Sequence, residues 1–311
     1  MFAVAGEALI DFIAAADGRY RPMAGGAPFN FSRALALQGV PAGYLNPISS
    51  DAMGALLRDT LVSSGARAFG DAVPLPTSLA LVATTSNGQP SYQFYRQGVA
   101  DRALDLEQIT ARFTAEIRGF HSGGLALVPP DHETILRAQQ AAAARGIICT
   151  LDVNMRPRVA ESMGLSPHAY AEAANAAIRG ANIVKVSDED LLHLGFNDVP
   201  NIAARGLLSD TCKIVVLTLG EKGAWLLTAD NEIFQKADSV AVVDTVGAGD
   251  CFFAGFVASL VRNSGFDVLL SRMPETIILE NAFRHAMRCA SINITREGCQ
   301  PPTWDEVVAG A

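Results

Sequence analysis

Short apolar runs of strand length alternate with longer, alanine-rich stretches of helical character along most of the chain. This alternation is typical of βαβ units and of a mostly parallel sheet whose strands are buried on both faces. We therefore predict an α/β fold. The strands are expected at residues 2–5, 119–122, 147–152, 183–186, 214–218 and 224–228, and the helices at 27–38, 51–64, 131–145, 167–179, 188–194, 249–262 and 274–294.

Several of the predicted strands end in a polar residue. In an open α/β sheet the carboxyl ends of the strands line the ligand crevice. Position alone therefore makes four residues candidates for a site, namely Ser122, Asp152, Ser187 and Thr218.

Two segments near the amino terminus break the alternation and predict hairpins. Residues 12–21 contain Asp17-Gly18, a dipeptide suited to a two-residue turn, and residues 77–94 carry β-branched and aromatic side chains on both sides of Ser86-Asn87-Gly88. The two hairpins would form a small sheet over the strand ends, in the position of a lid. The alternative is that both segments are loops without a functional role.

The chain shows neither an internal repeat nor a linker. A length of 311 residues is compatible with one large domain or two small ones. We therefore predict a single domain over residues 1–311, with a lid formed by inserted segments at about 12–25 and 72–104.

Charge and composition exclude several classes of partner. The chain has 24 basic against 32 acidic side chains and no basic cluster, which argues against nucleic acid and anionic membrane surfaces. The apolar amino terminus lacks a basic leader, and the apolar stretches fall short of the roughly 18 to 20 residues that span a bilayer. We expect a cytoplasmic protein. Five widely spaced cysteines without a CxxC pair predict neither a disulfide framework nor a zinc site.

The strongest motif is the sequence DTVGAGD at residues 244–250, followed by a small and apolar helical stretch. Its glycines let the backbone N–H groups converge, and the start of the helix adds a positive end, so the segment predicts an anion site. A carboxylate at Asp250 would repel a phosphate bound there. Its presence at an anion site is explained if it accepts the proton of a hydroxyl that attacks the phosphorus. The alternative is that Asp250 only stabilises the first helical turn, and the spacing does not separate the two.

A second glycine pair, Gly25-Gly26, precedes another predicted helix. Asn30 falls in the first turn of that helix, where its amide offers a donor and an acceptor to a polyol. A solvent-facing Asn30 at an ordinary helix start is the alternative. The chain has neither a GxxxxGK[ST] phosphate loop nor a GxGxxG dinucleotide fingerprint.

Residues 25–40 and 244–256 together resemble the two signatures of the ribokinase-like (PfkB) sugar kinases, in the order found in that family. The resemblance implies a three-layer core with a lid, and transfer of the γ-phosphoryl group of ATP to a sugar hydroxyl. It implies that Asp250 is the base. It also implies that the anion hole is formed by the amides of Gly247, Ala248 and Gly249.

The same resemblance implies further site residues. The substrate-binding residues would be Asp11, Gly26, Asn30, Arg96 and Asn154, and the nucleotide-side residues would be Ser187, Thr218, Gly220, Gly223 and Gly298. Asp190 would hold Mg²⁺ through water, in a Ser-Asp-Glu-Asp stretch where many members have NxxE, and Asp244 would lie near a monovalent cation such as K⁺. The alternatives are an ordinary turn at 218–223 and a solvated acidic helix start at 187–190.

The segments FYRQGVADRAL and DVNMRP are similar to bacterial fructokinases, which favours D-fructose as the sugar. A 2-keto-3-deoxygluconate kinase is the chief alternative, with an arginine pairing with the substrate carboxylate. The arginine candidates are Arg96, Arg102, Arg156 and Arg158. Alternatively, Arg96 is a surface residue packed on Tyr95 or Phe94.

Two further classes of function stay open, namely a nucleoside kinase and a sugar-binding regulator without catalysis. Lid sheets in proteins of the resembled family often pair, so a homodimer through the lid is a further expectation.

Overall fold

The computed structural model describes residues 1–14, 18–84 and 90–309. Within them the strands are β1 Phe2–Val4, β2 Leu9–Ala14, β3 Tyr20–Gly25, β4 Ala42–Tyr44, β5 Ile48–Ser49, β6 Arg67–Ala68, β7 Ala72–Val73, β8 Ser78–Thr84, β9 Pro90–Tyr95, β10 Gly119–Gly123, β11 Ile148–Asp152, β12 Ile183–Ser187, β13 Ile214–Thr218, β14 Ala224–Leu227 and β15 Glu232–Gln235. The α-helices are α1 Ala27–Leu37, α2 Ala52–Ser63, α3 Leu106–Ala111, α4 His132–Ala143, α5 Pro157–Ser162, α6 Pro167–Arg179, α7 Asp188–His193, α8 Pro200–Arg205, α9 Ala248–Arg262, α10 Thr276–Asn293 and α11 Trp304–Ala309.

The main sheet has the order β15-β14-β13-β12-β11-β10-β1-β4-β6. The pairs from β6 to β13 are parallel, and β14 and β15 continue the sheet antiparallel. Its central strands are buried on both faces, as expected of a parallel sheet covered by helices. The predicted α/β fold is confirmed.

Helices cover both faces of this sheet. On one face, α4, α6 and α8 contribute to a core that includes Ile135, Tyr170 and Ala203. On the other face, α1, α9 and α10 enclose a second core around Phe31 and Phe253. Helix α9 is buried along nearly its whole length, because it packs against α1 and α10 as well as the sheet. The architecture therefore has three layers.

A separate four-stranded sheet has the order β3-β2-β8-β9, with antiparallel β2–β3 and β8–β9 pairs and a parallel β2–β8 pair. The two predicted hairpin pairings are thus confirmed. Of the predicted turn residues, Asp17 and Ser86-Asn87-Gly88 lie outside the described residues. Strands β5 and β7 form a third, two-stranded parallel sheet.

The predicted strands and helices are all present, with boundaries that differ by a few residues. The sequence pattern missed elements that are too short to show a period, including β4, β6, α3, α5 and α8. Across the described part of the chain, none of the helices combines the length and apolar character needed to cross a bilayer.

Candidate active site

A cavity of about 490 Å³ lies between the small sheet and the main sheet. Its walls come from both glycine motifs, 26–30 at the start of α1 and 244–250 at the start of α9, which are more than 200 residues apart. Strand β2 contributes Asp11, and the segments at the carboxyl ends of β11 and β12 contribute further polar groups. The cavity thus occupies the crevice that the strand ends of an α/β sheet provide. Its remaining polar lining residues are Glu7, Asn154, Arg156 and Lys185.

Asp250 and Asn30 form a buried pair that joins α9 to α1. The Asn30 amide Nδ2 donates a hydrogen bond of 2.9 Å to Asp250 Oδ2, and the two residues are 8% and 4% exposed. The expected alternative of a solvent-facing Asn30 is therefore wrong. Asn30 Oδ1 is buried and has no hydrogen-bond partner among the described residues. A buried acceptor of this kind costs about 1–3 kcal/mol when left unpaired, so the site favours a ligand that donates a hydrogen bond.

The Asp250 carboxyl has a pKa of about 7, because burial and the negative charge of Asp152 disfavour its ionised form. The Asn30 hydrogen bond and the charges of Lys185 and Arg156 lower the pKa and partly offset these effects. A carboxylate with this pKa can take up and release a proton near neutral pH.

Asp11 occupies the centre of the small sheet, where its strand pairs with β3 and β8. Burial raises its pKa to about 7, Arg156 lowers it, and Glu7 raises it. Gly25 makes room for this carboxylate, since a Cβ at Gly25 would overlap Asp11 Oδ2. The structure thus brings a second proton-binding carboxyl into the cavity, from the sheet expected to form the lid.

The glycine loop requires glycine at Gly247. This residue is the N-cap of α9 with φ +74°, and a Cβ there would overlap the Cys299 thiol. The Ala248 N–H already donates to the Thr245 carbonyl at 3.2 Å. The anion-hole role of the amides of 247–249 stays a prediction, and for Ala248 the existing bond competes with it.

A buried ion pair lies behind the glycine loop. Lys185 on β12 is opposite Asp152 on β11, and its Nζ lies 2.8 and 3.0 Å from the two carboxylate oxygens. Both side chains are at most 6% exposed, and a Cβ at Gly249 would lie 3.0 Å from Lys185 Nζ. Sequence reasoning singled out Asp152 by its position but missed Lys185. The signal was a single lysine within an otherwise apolar strand, since a buried cation needs a partner.

Asp244 anchors the loop from its other end. Its Oδ1 accepts a 3.0 Å bond from the Val246 N–H, and its Oδ2 accepts a 2.8 Å bond from the Gly298 N–H. Gly298, with φ +68°, thereby ties the segment after α10 to the glycine loop. The predicted adenine contact of Gly298 and the predicted cation at Asp244 stay predictions.

Ser187 and Asp190 form a capping box at α7. The Asp190 carboxylate accepts bonds of 2.9 Å from the Ser187 N–H and 2.7 Å from the Met155 N–H, and it is only 4% exposed. The alternative of a fully solvated acidic helix start is therefore wrong for Asp190. The described residues contain no group of three or more histidines, cysteines or acids arranged to hold a metal ion. The predicted role of Asp190 in holding Mg²⁺ through water stays a prediction.

The other expected nucleotide-side residues lie outside the walls of this cavity. Thr218 ends β13, and Gly220 begins the 3-10 turn that follows. Gly223 has φ +119°, and a Cβ there would overlap the Gln235 carbonyl, so its glycine is explained by the β14–β15 packing. Their predicted contacts with a nucleotide stay predictions.

Arg96 is the expected substrate residue that the structure places elsewhere. It is 9% exposed, pairs with Asp101 at 3.0 Å, and lines a neighbouring cavity of about 300 Å³ that shares Glu7 with the first. Because Arg96 is buried, the alternative of a surface arginine is wrong. Its predicted contact with the substrate stays a prediction. The sequence pattern does not predict that Asp101, five residues later, forms an ion pair with this guanidinium. Of the other arginine candidates, Arg156 does line the cavity.

Comparison with known proteins identifies the family of the chain. The pfkB family carbohydrate kinase model matches residues 1–306. A fructokinase of Rhizobium leguminosarum bv. trifolii is 34% identical over 291 residues, which cover 92% of this chain and 86% of that protein. Fructokinase-2 of Oryza sativa subsp. japonica is 30% identical over 313 residues, with 95% and 88% coverage.

Solved structures extend the likeness to the whole fold. The fructokinase from Xylella fastidiosa with bound ATP superimposes with a TM-score of 0.84 at 25% identity, covering 99% of this chain and 97% of that one. Aminoimidazole riboside kinase from Salmonella enterica shares the fold, with a TM-score of 0.83 at 24% identity and 99% and 98% coverage. The family match over nearly the whole chain makes this protein a member of the pfkB family of carbohydrate kinases, phosphotransferases whose acceptor is a sugar hydroxyl.

Proposed function

We propose that this chain transfers the γ-phosphoryl group of ATP to D-fructose, giving fructose 6-phosphate. The main support for this proposal is the hydrogen-bonded pair of Asp250 and Asn30 beside the glycine loop. The Asp250 carboxyl has a pKa of about 7, and the Asn30 amide oxygen has no hydrogen-bond partner among the described residues. The relatives named fructokinase, at 34% and 30% identity, support the choice of sugar.

In this proposal Asp250 accepts the proton of the attacking hydroxyl. Asn30 Oδ1 accepts a hydrogen bond from a sugar hydroxyl, which gives the buried amide oxygen the donor that it lacks. Asp11 binds the sugar from the opposite wall of the cavity. The hydroxyl is thereby held between groups on three elements, α1, α9 and β2, and this fixes its orientation toward the phosphorus.

ATP would approach from the glycine loop, where the start of α9 favours negative charge. Mg²⁺ would enter with the nucleotide, and when bound it offsets charge on the phosphate oxygens. Asp190 would reach it only through water, because both of its oxygens already accept backbone N–H bonds. A K⁺ ion near Asp244 is part of the same proposal.

The small sheet would act as the lid of this site. It supplies Asp11 and Ile13 to the cavity wall, so a closing movement would exclude water from the reacting groups and suppress ATP hydrolysis. Its edge strands β3 and β9 begin and end, respectively, with the exposed side chains of Tyr20 and Tyr95. Unpaired strand edges can pair with another chain, so we include a homodimer through this sheet in the proposal.

The test is ADP release from magnesium-ATP with a panel of acceptors. The panel contains D-fructose, 2-keto-3-deoxygluconate, ribose, glucose and several nucleosides. Turnover that is fastest with fructose supports the proposal. Arg156 lies in the cavity wall and offers a cation to the carboxylate of the keto acid. Fastest turnover with the keto acid would indicate that Arg156 selects the acceptor. Turnover of nucleosides, or sugar binding without any turnover, would overturn the proposal.

A further inference from the structure

The segment that follows α10 contacts both the small sheet and the main domain. We call residues 296–300 the strap. The Arg21 guanidinium on β3 forms an ion pair with the Glu297 carboxylate of the strap. Two residues further along the same strand, Met23 lies against Gly298, since a Cβ at Gly298 would overlap the Met23 Cε methyl. The strap is therefore a place where the small sheet meets the main domain.

Hydrogen bonds tie the strap to the glycine loop. Asp244 Oδ2 accepts a 2.8 Å bond from the Gly298 N–H, and Asp244 Oδ1 accepts a 3.0 Å bond from the Val246 N–H. The buried Asn293 amide makes the same connection a second time. Its Oδ1 accepts a 2.9 Å bond from the Gln300 N–H, and its Nδ2 donates a 2.8 Å bond to the Val246 carbonyl. The strap and the glycine loop therefore form one connected unit.

The residues of β3 that contact the strap lie on the cavity side of the small sheet. In the β2–β3 pairing, Met23 is opposite Asp11 and Arg21 is opposite Ile13. Directly paired residues share one face of a sheet, and both Asp11 and Ile13 line the cavity. Arg21 and Met23 therefore extend from the face that covers the candidate active site and reach the strap at its edge.

Glu297 can pair with Arg21 because the other charged residue of the strap already has a partner. Arg296 Nη2 lies 2.6 Å from Glu306 Oε1 on α11, and Arg296 Nη1 donates a 3.3 Å bond to the Gln300 carbonyl. The side chains of Arg21 and Glu297 are 58% and 64% exposed, so water and salt weaken their attraction. A weak contact of this kind can break and form again, as the movement of a lid requires.

We propose that the Arg21–Glu297 ion pair is a latch that holds the small sheet closed over the candidate active site. Arg21 is then a positioning residue, which acts through the sheet that carries Asp11 and not by contact with the sugar. This inference rests on the proposed function, in which the sugar is held between Asp11 and the Asn30–Asp250 pair.

The first test compares Arg21→Gln and Glu297→Gln with the wild type, using magnesium-ATP and D-fructose. Each variant should raise the KM for fructose about 2- to 5-fold, the range expected for one exposed ion pair, because the closed sheet binds the sugar from a second side. The kcat value should change less than KM, since the reacting groups are untouched. The charge swap Arg21→Glu/Glu297→Arg should restore the wild-type KM, whereas Arg21→Glu alone should raise KM further.

The matched control is Arg118→Gln, which breaks another exposed ion pair, with Asp267. Arg118 directly precedes β10 and so lies at the opposite end of the main sheet from the candidate site. This control should leave the KM for fructose unchanged. An equal rise of KM in the control, an unchanged KM in both single variants, or a charge swap that fails to restore KM would overturn the latch.

Salt gives an independent check of the charge pair. Tetramethylammonium chloride, added at a fixed K⁺ concentration, should raise the wild-type KM toward that of Arg21→Gln, because it screens exposed charges. The Arg21→Gln variant should respond less than the wild type. An equal response of the two proteins would contradict the latch.

Peroxide oxidation of Met23 is a measurement that does not depend on turnover. Met23 is partly buried beside the strap, whereas Met163 is 41% exposed and serves as the internal reference. In Arg21→Gln, oxidation of Met23 relative to Met163 should be about 2- to 5-fold faster, and the charge swap should restore the wild-type ratio. An unchanged ratio would refute the latch. A wild type without turnover on any acceptor would refute the proposed function, but this measurement would still decide the latch.

Discussion

Replacing Lys185 by methionine would leave Asp152 as an unpaired charge in the middle of the sheet. The two side chains are 6% and 3% exposed and are joined by two hydrogen bonds. Removing one partner of a buried ion pair typically costs about 3–5 kcal/mol, because the other charge stays desolvated. We expect Lys185→Met to lower the free energy of unfolding by about this amount at neutral pH.

The loss should depend on pH in a defined direction. Burial raises the pKa of Asp152, and Lys185 works against that rise. Without the lysine the folded-state pKa rises further, so the folded protein holds a proton that the unfolded chain releases. Stability then falls as pH rises from the unfolded value of about 4 toward the folded value. Lys185→Met should therefore be less destabilised at pH 5 than at pH 8.

The double variant Asp152→Leu/Lys185→Met is the matched control. Replacing a buried pair by apolar residues of similar volume is often neutral, so its stability should lie within about 2 kcal/mol of the wild type. It also makes a prediction for Asp250. Asp152 raises the Asp250 pKa more than Lys185 lowers it, so loss of both charges should bring that pKa below 7 and move the acid limb of turnover to lower pH.

The stabilities are measured by urea unfolding, followed through the fluorescence of the two tryptophans. The acid limb of turnover is measured by ADP release across pH. The reasoning is refuted if Lys185→Met unfolds within 1 kcal/mol of the wild type, a threshold well below the expected ~3 kcal/mol. It is equally refuted if the double variant is as unstable as the single one, because the penalty would then not come from an unpaired charge.

Three further predictions concern the glycine loop at residues 244–250. Asp250→Asn should lower turnover by roughly 10² to 10⁴ while sugar binding by calorimetry stays largely intact, and near-normal turnover would remove Asp250 from the mechanism. Gly247→Ala should cost about 1–3 kcal/mol in urea unfolding and lose turnover, because φ is +74° and Cys299 occupies the Cβ position. The control Gly65→Ala has φ +82° with open space, so it should lose stability alone. Turnover should rise when K⁺ replaces a quaternary ammonium ion at constant ionic strength, and rates that ignore K⁺ would refute a cation near Asp244.

The parts of the fold predicted from sequence are those with a strong local signal. Buried strands such as β13, with five apolar or β-branched residues, and long helices such as α9 have patterns that packing reinforces. Strand β4 has three residues and β6 has two, which is too few for a period to appear. Their positions are set by pairing beside β1, an interaction between distant parts of the chain.

The candidate site also combines features that local sequence signals predict with features that depend on packing between distant parts of the chain. The two glycine motifs were visible because backbone turns and helix starts impose local residue requirements. That they meet, and that Asn30 binds Asp250 across 220 residues, depends on the packing of α1 against α9. Lys185 and Glu7 each interrupt an apolar run of the sequence, but a lone charged residue does not indicate which partner it will meet. Their importance appears only when burial and partners are known.

The charge balance of the cavity bears on which acceptor it favours. Its walls carry four carboxyl side chains, Glu7, Asp11, Asp244 and Asp250, against the two cations Arg156 and Lys185. Lys185 is already paired with Asp152, whereas Arg156 has no ion-pair partner among the described residues and lowers the pKa of both Asp11 and Asp250. A substrate carboxylate would bring a further negative charge against two carboxyls whose ionised forms are already disfavoured by burial. A neutral sugar adds no charge and supplies hydroxyl donors to the Asn30 oxygen, so the electrostatics favour a neutral ketose over a keto acid.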